Sequence, residues 1–178
     1  MAFVQVVRRS MRPEEYTDLR AGWLKRFLYE SKYEITDIEI TDARQTGENT
    51  YEYYPGGYRR LKKGDIYFTP DGTVFFKAKV TVPKEMQGKE LWLSMWTAAE
   101  IIVKVNGVYV GGMDPNRDRV LLSPYIDSGE LLIEMEGYNR SKPDDERNPD
   151  SMKLKGCRQE FQGLYLATVN PVSYTHLT

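Results

Sequence analysis

The sequence predicts a mainly β protein, an antiparallel β-sandwich preceded by an N-terminal α-helix. Short runs of alternating apolar and polar residues follow one another from Ile66 to Val169, with glycine, proline and asparagine between them. No helical pattern separates these runs, which disfavours a parallel βαβ arrangement. One stretch near the N-terminus has helical spacing instead. Together these observations indicate two packed antiparallel layers with one leading helix.

The leading helix is predicted from Arg12 to about Ser31. Pro13 suits a first helical turn, and Glu14 and Glu15 lie where the helix dipole favours negative charge. An apolar stripe at helical spacing consists of Tyr16, Leu19, Trp23, Leu24, Phe27 and Leu28. The stripe indicates a packing surface. We therefore predict a helical segment over residues 1–32, a β-sandwich over 33–172 and a non-native tail over 173–178.

After Tyr33 the apolar period changes to two. Residues 42–65 are interrupted by glycines, an asparagine and a proline, and are predicted to form a long connection with at most one short strand. This segment holds an aromatic cluster beside two arginines: Tyr51, Tyr53, Tyr54, Tyr58, Arg59 and Arg60. Such side chains can stack on a sugar or form an interface with a partner domain, and we favour the interface.

Regular strands are predicted from residue 73 onward. One face of the first strand carries Val74, Phe76, Ala78, Val80 and Val82, and Pro83 ends it. In residues 91–96, Leu91, Leu93 and Met95 alternate with Trp92, Ser94 and Trp96, which indicates that both faces are at least partly covered. Asn106 and Gly107 form the strongest short-range hairpin signal, between strands at 99–105 and 108–110. Further strands are predicted at 119–122, 130–138 and 163–169.

Bulk composition excludes several classes of function. A chain of 178 residues has the size of one domain and buries about 70% of its unfolded surface without a disulfide or metal. Its formal net charge of -1 disfavours nucleic acid and anionic membranes as partners. No apolar run approaches the roughly 20 residues of a membrane span, and the N-terminus lacks the apolar core of a signal peptide. We therefore expect a cytoplasmic protein.

Catalytic chemistry is not predicted in this chain. The sequence has one histidine, His176, and one cysteine, Cys157, which are too few for a zinc site or a convincing nucleophilic pair. Asp144 and Asp145 are adjacent and tend to point apart, so they do not match the facing carboxylates of a glycosidase. We expect no catalytic residue, no metal ligand and no cofactor here.

Two ionic loops are the candidate sites. The first follows Gly111 and Gly112, which permit backbone angles or a close approach that a side chain would block; its candidate residues are Asp114, Asn116, Arg117, Asp118 and Arg119. The second lies between residues 138 and 156, and its candidates are Asn139, Arg140, Asp144, Asp145 and Arg147. We predict internal Asp–Arg pairs and Asx turns. If the loops meet, they form a docking surface for a catalytic domain or second subunit; sugar contact is the alternative.

The order of these elements resembles the N-terminal, non-catalytic region of glycoside hydrolase family 38, the α-mannosidases of the bacterial and vacuolar type. The resemblance extends from about Arg12 to Val172. It rests on Thr73–Lys79, Val80–Pro83, Glu90–Trp96, Val105–Gly107, Gly112–Asn116 and Val120–Leu122. Arg117 stands where many members have histidine. The Val-Asn-Gly hairpin with its two glycines also occurs in galactose-binding-like jelly rolls of other glycosidases, such as the β-galactosidase type.

The resemblance implies an accessory scaffold or docking domain for a missing zinc-dependent catalytic domain that hydrolyses terminal α-mannosides. No His-x-Asp motif of that domain is present, so this chain alone is expected to be inactive. The expected partner is the catalytic domain, with a homo-oligomer or carbohydrate as further possibilities. The alternative is an autonomous carbohydrate-binding or protein-interaction module of another glycosidase type.

The last eight residues, Pro171–Thr178, resemble translated sequencing-adaptor read-through. This resemblance implies that the reading frame was cut near Pro171 or Val172. On this expectation His176 has no role in the native protein.

Overall fold

The computed structural model describes Leu19 and residues 27–67, 72–97, 99–125, 129–138 and 159–170. The chain divides into two compact units. One unit is Ser31–Thr168, which contains the sandwich. The other combines Met1–Glu30 with Val169–Thr178, and in it the backbone N–H of Asn170 donates to the carbonyl of Leu28 at 2.8 Å. The predicted domain boundaries stay predictions.

Strands dominate the described residues, with short 3-10 turns at Lys84–Met86 and Ser123–Tyr125. The strands are β1 (Tyr29–Ile35), β2 (Ile38–Gly47), β3 (Thr50–Tyr53), β4 (Arg59–Arg60), β5 (Ile66–Tyr67), β6 (Thr73–Thr81), β7 (Leu91–Met95), β8 (Glu100–Val105), β9 (Val108–Met113), β10 (Arg119–Leu121), β11 (Glu130–Tyr138), β12 (Gln159–Glu160) and β13 (Leu164–Val169).

These strands form two main sheets. A seven-stranded sheet has the order β3-β2-β6-β11-β8-β9, with β4 also paired to β2. A four-stranded sheet has the order β1-β13-β7-β10, and β12 pairs with β5 in a small third sheet. The central pairings of β11 with β6 and β8, and of β7 with β13 and β10, are antiparallel. The predicted mainly β, antiparallel sandwich is confirmed.

The core lies between the two main sheets, because alternate side chains of each strand point inward. Val74, Phe76, Ala78 and Val80 of β6 are buried, as the period-two pattern predicted. They form one cluster with inward residues of both sheets, including Ile133, Met135, Val103, Leu93, Met95 and Leu166. The outward residues of the seven-stranded sheet remain available for other contacts.

The predicted end of the N-terminal helix is wrong. Tyr29, Glu30 and Ser31 belong to β1 rather than to a helix. The apolar spacing of Phe27 and Leu28 suited a helix, but sheet pairing supplies the backbone hydrogen bonds of the residues that follow. Leu19 is helical, and the other residues of the predicted helix before Phe27 lie outside the described residues.

The segment predicted as a long connection contains more strand than expected. β2 extends to Gly47, and β3 returns along it with Ala43 opposite Tyr53. The turn residue Asn49 has φ 52°, in the left-handed region that asparagine tolerates. The sequence interpretation failed because pairing of β2 with β6 overrides the weak strand propensity of this polar stretch.

The Asn-Gly hairpin is confirmed between β8 and β9. Asn106 has φ 50° and Gly107 has φ 82°, as a two-residue hairpin turn requires, and Val105 pairs with Val108. Asn106 also ties this turn to β11: its backbone N–H donates to the carbonyl of Leu132 at 2.8 Å. Its side-chain Oδ1 accepts from the backbone N–H of Leu132 at 2.8 Å. One residue therefore serves both the turn and the neighbouring strand.

We expect Asn106→Ala to lower the free energy of unfolding by about 2 kcal/mol, since it combines left-handed strain with loss of the Oδ1 acceptor for the backbone N–H of Leu132. Asn106→Gly keeps the turn but loses the side-chain acceptor, so it should cost about half as much. Urea denaturation of both variants measures the difference. Equal losses would mean that the left-handed backbone angle of residue 106 costs alanine nothing, and that the lost contact with Leu132 accounts for the whole effect.

Within the described part of the chain, no helix is long and apolar enough to cross a membrane.

Candidate binding face

The outward surface of the seven-stranded sheet carries two rows of side chains set by strand register. In the first row Glu39 lies opposite Lys77, which lies opposite Glu134. Glu134 in turn lies opposite Lys104, and Lys104 lies opposite Tyr109. The second row runs through Thr41, Phe75, Glu136, Ile102 and Gly112. We call this surface the tyrosine face and define it by Tyr51, Tyr53, Tyr58, Phe75, Lys77, Ile102, Lys104, Tyr109, Glu134 and Glu136.

Aromatic rings cluster around Phe75 on this face. The ring of Tyr51 meets Phe75 edge-on, with centroids 4.9 Å apart and planes at 87°. The ring of Tyr53 lies 5.6 Å away at 42°. Tyr58 is 49% exposed and Tyr109 is 64% exposed, with the Nζ of Lys104 lying 4.4 Å from the Tyr109 ring centroid. Large aromatic surfaces thus remain open to solvent on both sides of the charged row.

Two phenols of the face have raised pKa values. The hydroxyl of Tyr51 donates to Oε1 of Glu136, and this hydrogen bond, with desolvation and the carboxylate charge, raises the pKa of Tyr51 to about 12. Partial burial raises the pKa of Tyr58, with smaller contributions from Tyr53, Glu134 and Glu39. Both phenols are therefore protonated hydrogen-bond donors at neutral pH.

The face contains a shallow depression of about 140 Å³, lined by side chains that include Tyr58, Phe75, Lys77, Lys104, Tyr109, Glu134 and Glu136. A second depression of about 530 Å³ adjoins it. The two share Ile102 and Glu136, so they form one continuous surface. The second depression is also lined by Asp114, Asn116 and Arg117 of the first ionic loop.

The first ionic loop closes on itself through Asp114. Oδ1 of Asp114 accepts from the backbone N–H groups of Asn116 at 2.8 Å and Arg117 at 3.0 Å. Oδ2 accepts from Nε of Arg117 at 3.0 Å and lies 2.9 Å from its Nη2. The backbone hydrogen bond from Asn116, together with the contacts of Arg117, holds the pKa of Asp114 below its usual value. The Asp–Arg pairing and Asx turn predicted for this loop are present.

After Arg117 the residues of the same loop contact the four-stranded sheet instead of the tyrosine face. Arg119 pairs with Asp118 at 3.3 Å, and its guanidinium lies 5.9 Å from the ring centroid of Trp92 in the four-stranded sheet. The backbone carbonyl of Asp118 accepts from the N–H of Met95 at 3.0 Å. The five candidate residues of this loop therefore do not form a single cluster.

The second ionic loop, with Asn139, Arg140, Asp144, Asp145 and Arg147, lies outside the described residues. Its predicted meeting with the first loop stays a prediction.

Gly111 and Gly112 have the structural roles expected for them. Gly111 has φ 149°, beside an irregularity in the pairing of β8 with β9. A Cβ on Gly112 would lie 2.9 Å from the carbonyl oxygen of Ile101. The close packing of β8 against β9 at the edge of the face therefore requires a residue without a side chain at position 112.

Sequence reasoning identified only part of the tyrosine face. Tyr51, Tyr53 and Tyr58 were singled out, but their neighbours Arg59 and Arg60 pair with Asp42 and Asp37 instead, each at 3.0 Å. The residues missed were Phe75, Lys77, Ile102, Lys104, Tyr109, Glu134 and Glu136. A signal existed, because the outward positions of β6, β8 and β11 mix aromatic and charged residues of both signs. Their assembly into rows required the strand register.

In the ranges that the structure describes, no group of three or more His, Cys, Asp or Glu residues is placed to hold a metal ion.

Comparison with known proteins finds a similar fold in solved structures, at low sequence identity. No protein-family model matches the chain, and no curated protein sequence matches it. A putative β-galactosidase from Bacteroides fragilis is 16% identical with a TM-score of 0.51, covering 79% of this chain and 23% of that one. A β-glucuronidase 2 structure from Bacteroides uniformis is 15% identical with a TM-score of 0.51, covering 78% and 18%. A rhamnosidase from Novosphingobium sp. PP1Y has a TM-score of 0.48 at 16% identity, covering 78% and 15%.

The two structures with a TM-score of 0.51 share the β-sandwich fold with this chain. This chain spans less than a quarter of the length of either. A sandwich of this kind is therefore found as one part of larger glycosidase chains.

Proposed function

We propose that this chain is the accessory β-sandwich of a larger glycoside hydrolase, where it acts as a scaffold or docking domain for the catalytic domain. One observation carries the proposal: the likeness covers 79% of this chain but only 23% of the putative β-galactosidase. An accessory domain of a larger enzyme has this relation to its parent. At 16% identity the likeness supports the fold, and the accessory role is inferred from it.

The parent enzyme is proposed to be an α-mannosidase of family 38, on the order of sequence motifs from Thr73 to Leu122. Its catalytic domain would supply zinc or another divalent metal and hydrolyse terminal α-mannosides in the cytoplasm. A different glycosidase type is the second candidate, because the structural neighbours carry other glycosidase names. Neither candidate assigns a catalytic residue to the chain itself.

The gene sequence distinguishes the two candidates. Amplification from the source DNA should show the reading frame continuing into a catalytic domain. A zinc-binding α/β domain with a His-x-Asp motif supports the α-mannosidase, whereas a catalytic domain of another glycosidase type supports the second candidate. Continuation into a protein unrelated to glycosidases overturns both.

We propose the first ionic loop as the docking contact for the catalytic domain. The Arg117 side chain is 77% exposed, and its carboxylate partner is Asp114, within the same short turn. Its remaining donors can reach a carboxylate on another domain without breaking the turn. Arg119 lies close by in sequence beside Trp92, which offers a mixed aromatic and cationic contact. A second subunit of the same protein is the alternative occupant.

In the full-length parent, replacing Arg117 and Arg119 together by glutamate should loosen the docked domains. We expect the single thermal unfolding transition to split in two, while affinity for the substrate sugar stays unchanged. Arg60→Glu serves as the matched control, because Arg60 is an exposed arginine paired with Asp37 on a different part of the surface. Loss of sugar affinity without loss of domain coupling would overturn docking through this loop.

A further inference from the structure

We propose that the tyrosine face is a binding site for a neutral oligosaccharide. The first reason is its mixture of side chains. Exposed rings of Tyr58 and Tyr109 flank a floor of charged groups, and Phe75 lies among them. A pyranose ring has the matching chemistry, since it presents an apolar C–H surface to an aromatic ring and hydroxyl groups at its edge.

The charge of the site favours a neutral ligand. The depression is lined by two lysines, Lys77 and Lys104, and two glutamates, Glu134 and Glu136, so their formal charges cancel. No net field attracts the phosphates of a nucleic acid or a strongly acidic sugar. Alternating donors and acceptors instead match hydroxyl groups, each of which both donates and accepts a hydrogen bond.

Two of these charged groups have hydrogen-bonding capacity to spare. Lys77 and Glu134 face each other across β6 and β11, yet within the described part of the chain their side chains form neither an ion pair nor a hydrogen bond. Lys104 contacts the ring of Tyr109, which leaves its three N–H donors unused by any carboxylate described. A polyhydroxylated ligand can use these groups while leaving them partly hydrated.

The same charges disfavour a protein partner on this face. The centre of a protein–protein interface is depleted in charged residues, because burying unpaired charges is costly. Here Lys77, Glu134 and Lys104 occupy the middle of the face rather than its rim. A dry protein interface would have to desolvate them together. A sugar covers the face while its own hydroxyls replace the lost water.

The dimensions suit a short oligosaccharide rather than a single ring. β9, which carries Tyr109, lies three strand spacings from β6, which carries Phe75 and Lys77, or about 14 Å. The depression between them is open, and it continues past Ile102 toward the first ionic loop. A ligand that enters beside Tyr58 can therefore extend along the row of charged residues to Tyr109.

The test uses the 178-residue chain and a panel of neutral manno-, gluco- and galacto-oligosaccharides, measured by isothermal titration calorimetry. We expect measurable binding of at least one of them. Tyr109→Ala and Tyr58→Ala should each weaken it by about fivefold to tenfold, through loss of aromatic contact. Tyr33→Ala is the matched control, because Tyr33 is 44% exposed and belongs to β1 of the four-stranded sheet. Thermal unfolding of all variants checks that the sandwich is retained.

Three results would overturn the inference: no binding to any neutral oligosaccharide at millimolar concentration, binding that neither tyrosine variant weakens, or self-association of the chain that Tyr109→Ala abolishes. The last result would identify the face as an interface between copies. The outcome does not depend on which catalytic domain the gene encodes, because the isolated chain is tested.

Discussion

Replacing Ile133 by alanine is expected to lower the free energy of unfolding by about 3–5 kcal/mol. Ile133 is 0% exposed and lies at the middle of β11. It is opposite Ala78 on β6 and Val105 on β8, so its side chain packs where three central strands meet the four-stranded sheet. Removing three carbons there leaves a cavity that neighbouring strands, held by their hydrogen bonds, cannot close. Urea denaturation of the chain measures the loss.

Glu134→Ala is the matched control for Ile133. The two residues are adjacent on β11, but Glu134 points outward to the tyrosine face. We expect this control to change stability by less than about 1 kcal/mol. A loss as large as that of Ile133→Ala would mean that β11 is paired one residue out of register, because a one-residue slip exchanges the two faces of a strand.

Replacing Gly112 by alanine is expected to destabilise the chain by about 3 kcal/mol. The new Cβ would lie 2.9 Å from the backbone carbonyl oxygen of Ile101, which cannot move without disturbing the pairing of β8 with β11. Alanine lowers the entropy of the unfolded chain and so offsets the loss by about 0.5–1 kcal/mol. The net effect should appear as a lower urea midpoint.

Gly47→Ala is the appropriate control for Gly112. Gly47 ends β2, and a Cβ there would meet only the side chain of Thr50 at 3.8 Å, an ordinary contact. Its substitution should be neutral to within about 0.5 kcal/mol. If Gly112→Ala were equally neutral, the close approach of β9 to β8 would not be required, and the conformation of the following ionic loop would have to be set by its own contacts alone.

The candidate site was only partly predictable from the sequence. Contacts between residues close together in the chain could be predicted, and contacts between distant residues could not. The turn of Asp114 with Arg117 joins residues three positions apart, so chain composition was sufficient to predict it. The contact of Arg119 with Trp92 joins residues far apart in sequence, and it required the pairing of β10 with β7. Likewise, Tyr51 on β3 reaches Glu136 on β11 only because β3, β2, β6 and β11 follow one another in the sheet.

The elements of the fold also separate into those that the local sequence predicts and those that depend on strand pairing. The alternation of Val74, Phe76 and Ala78 identified a half-buried strand, because an extended chain points successive side chains to opposite faces. Asn106 and Gly107 identified a hairpin, since few other residues adopt their backbone angles. The polar β2–β3 hairpin and the start of β1 at Tyr29 were missed, because their local preferences are weak and sheet pairing decides them.

Local chemistry in the chain therefore determined the strand content, the hairpin and the closed Asp114 turn, since each depends on backbone angles and neighbours a few residues apart. Only the tertiary structure decided which strands are adjacent, and with that the row from Lys77 through Glu134 and Lys104 to Tyr109. Backbone hydrogen bonding is nearly the same for any pair of strands, so the choice among pairings is made by how all the inward side chains pack together. The proposed oligosaccharide site is a consequence of that choice.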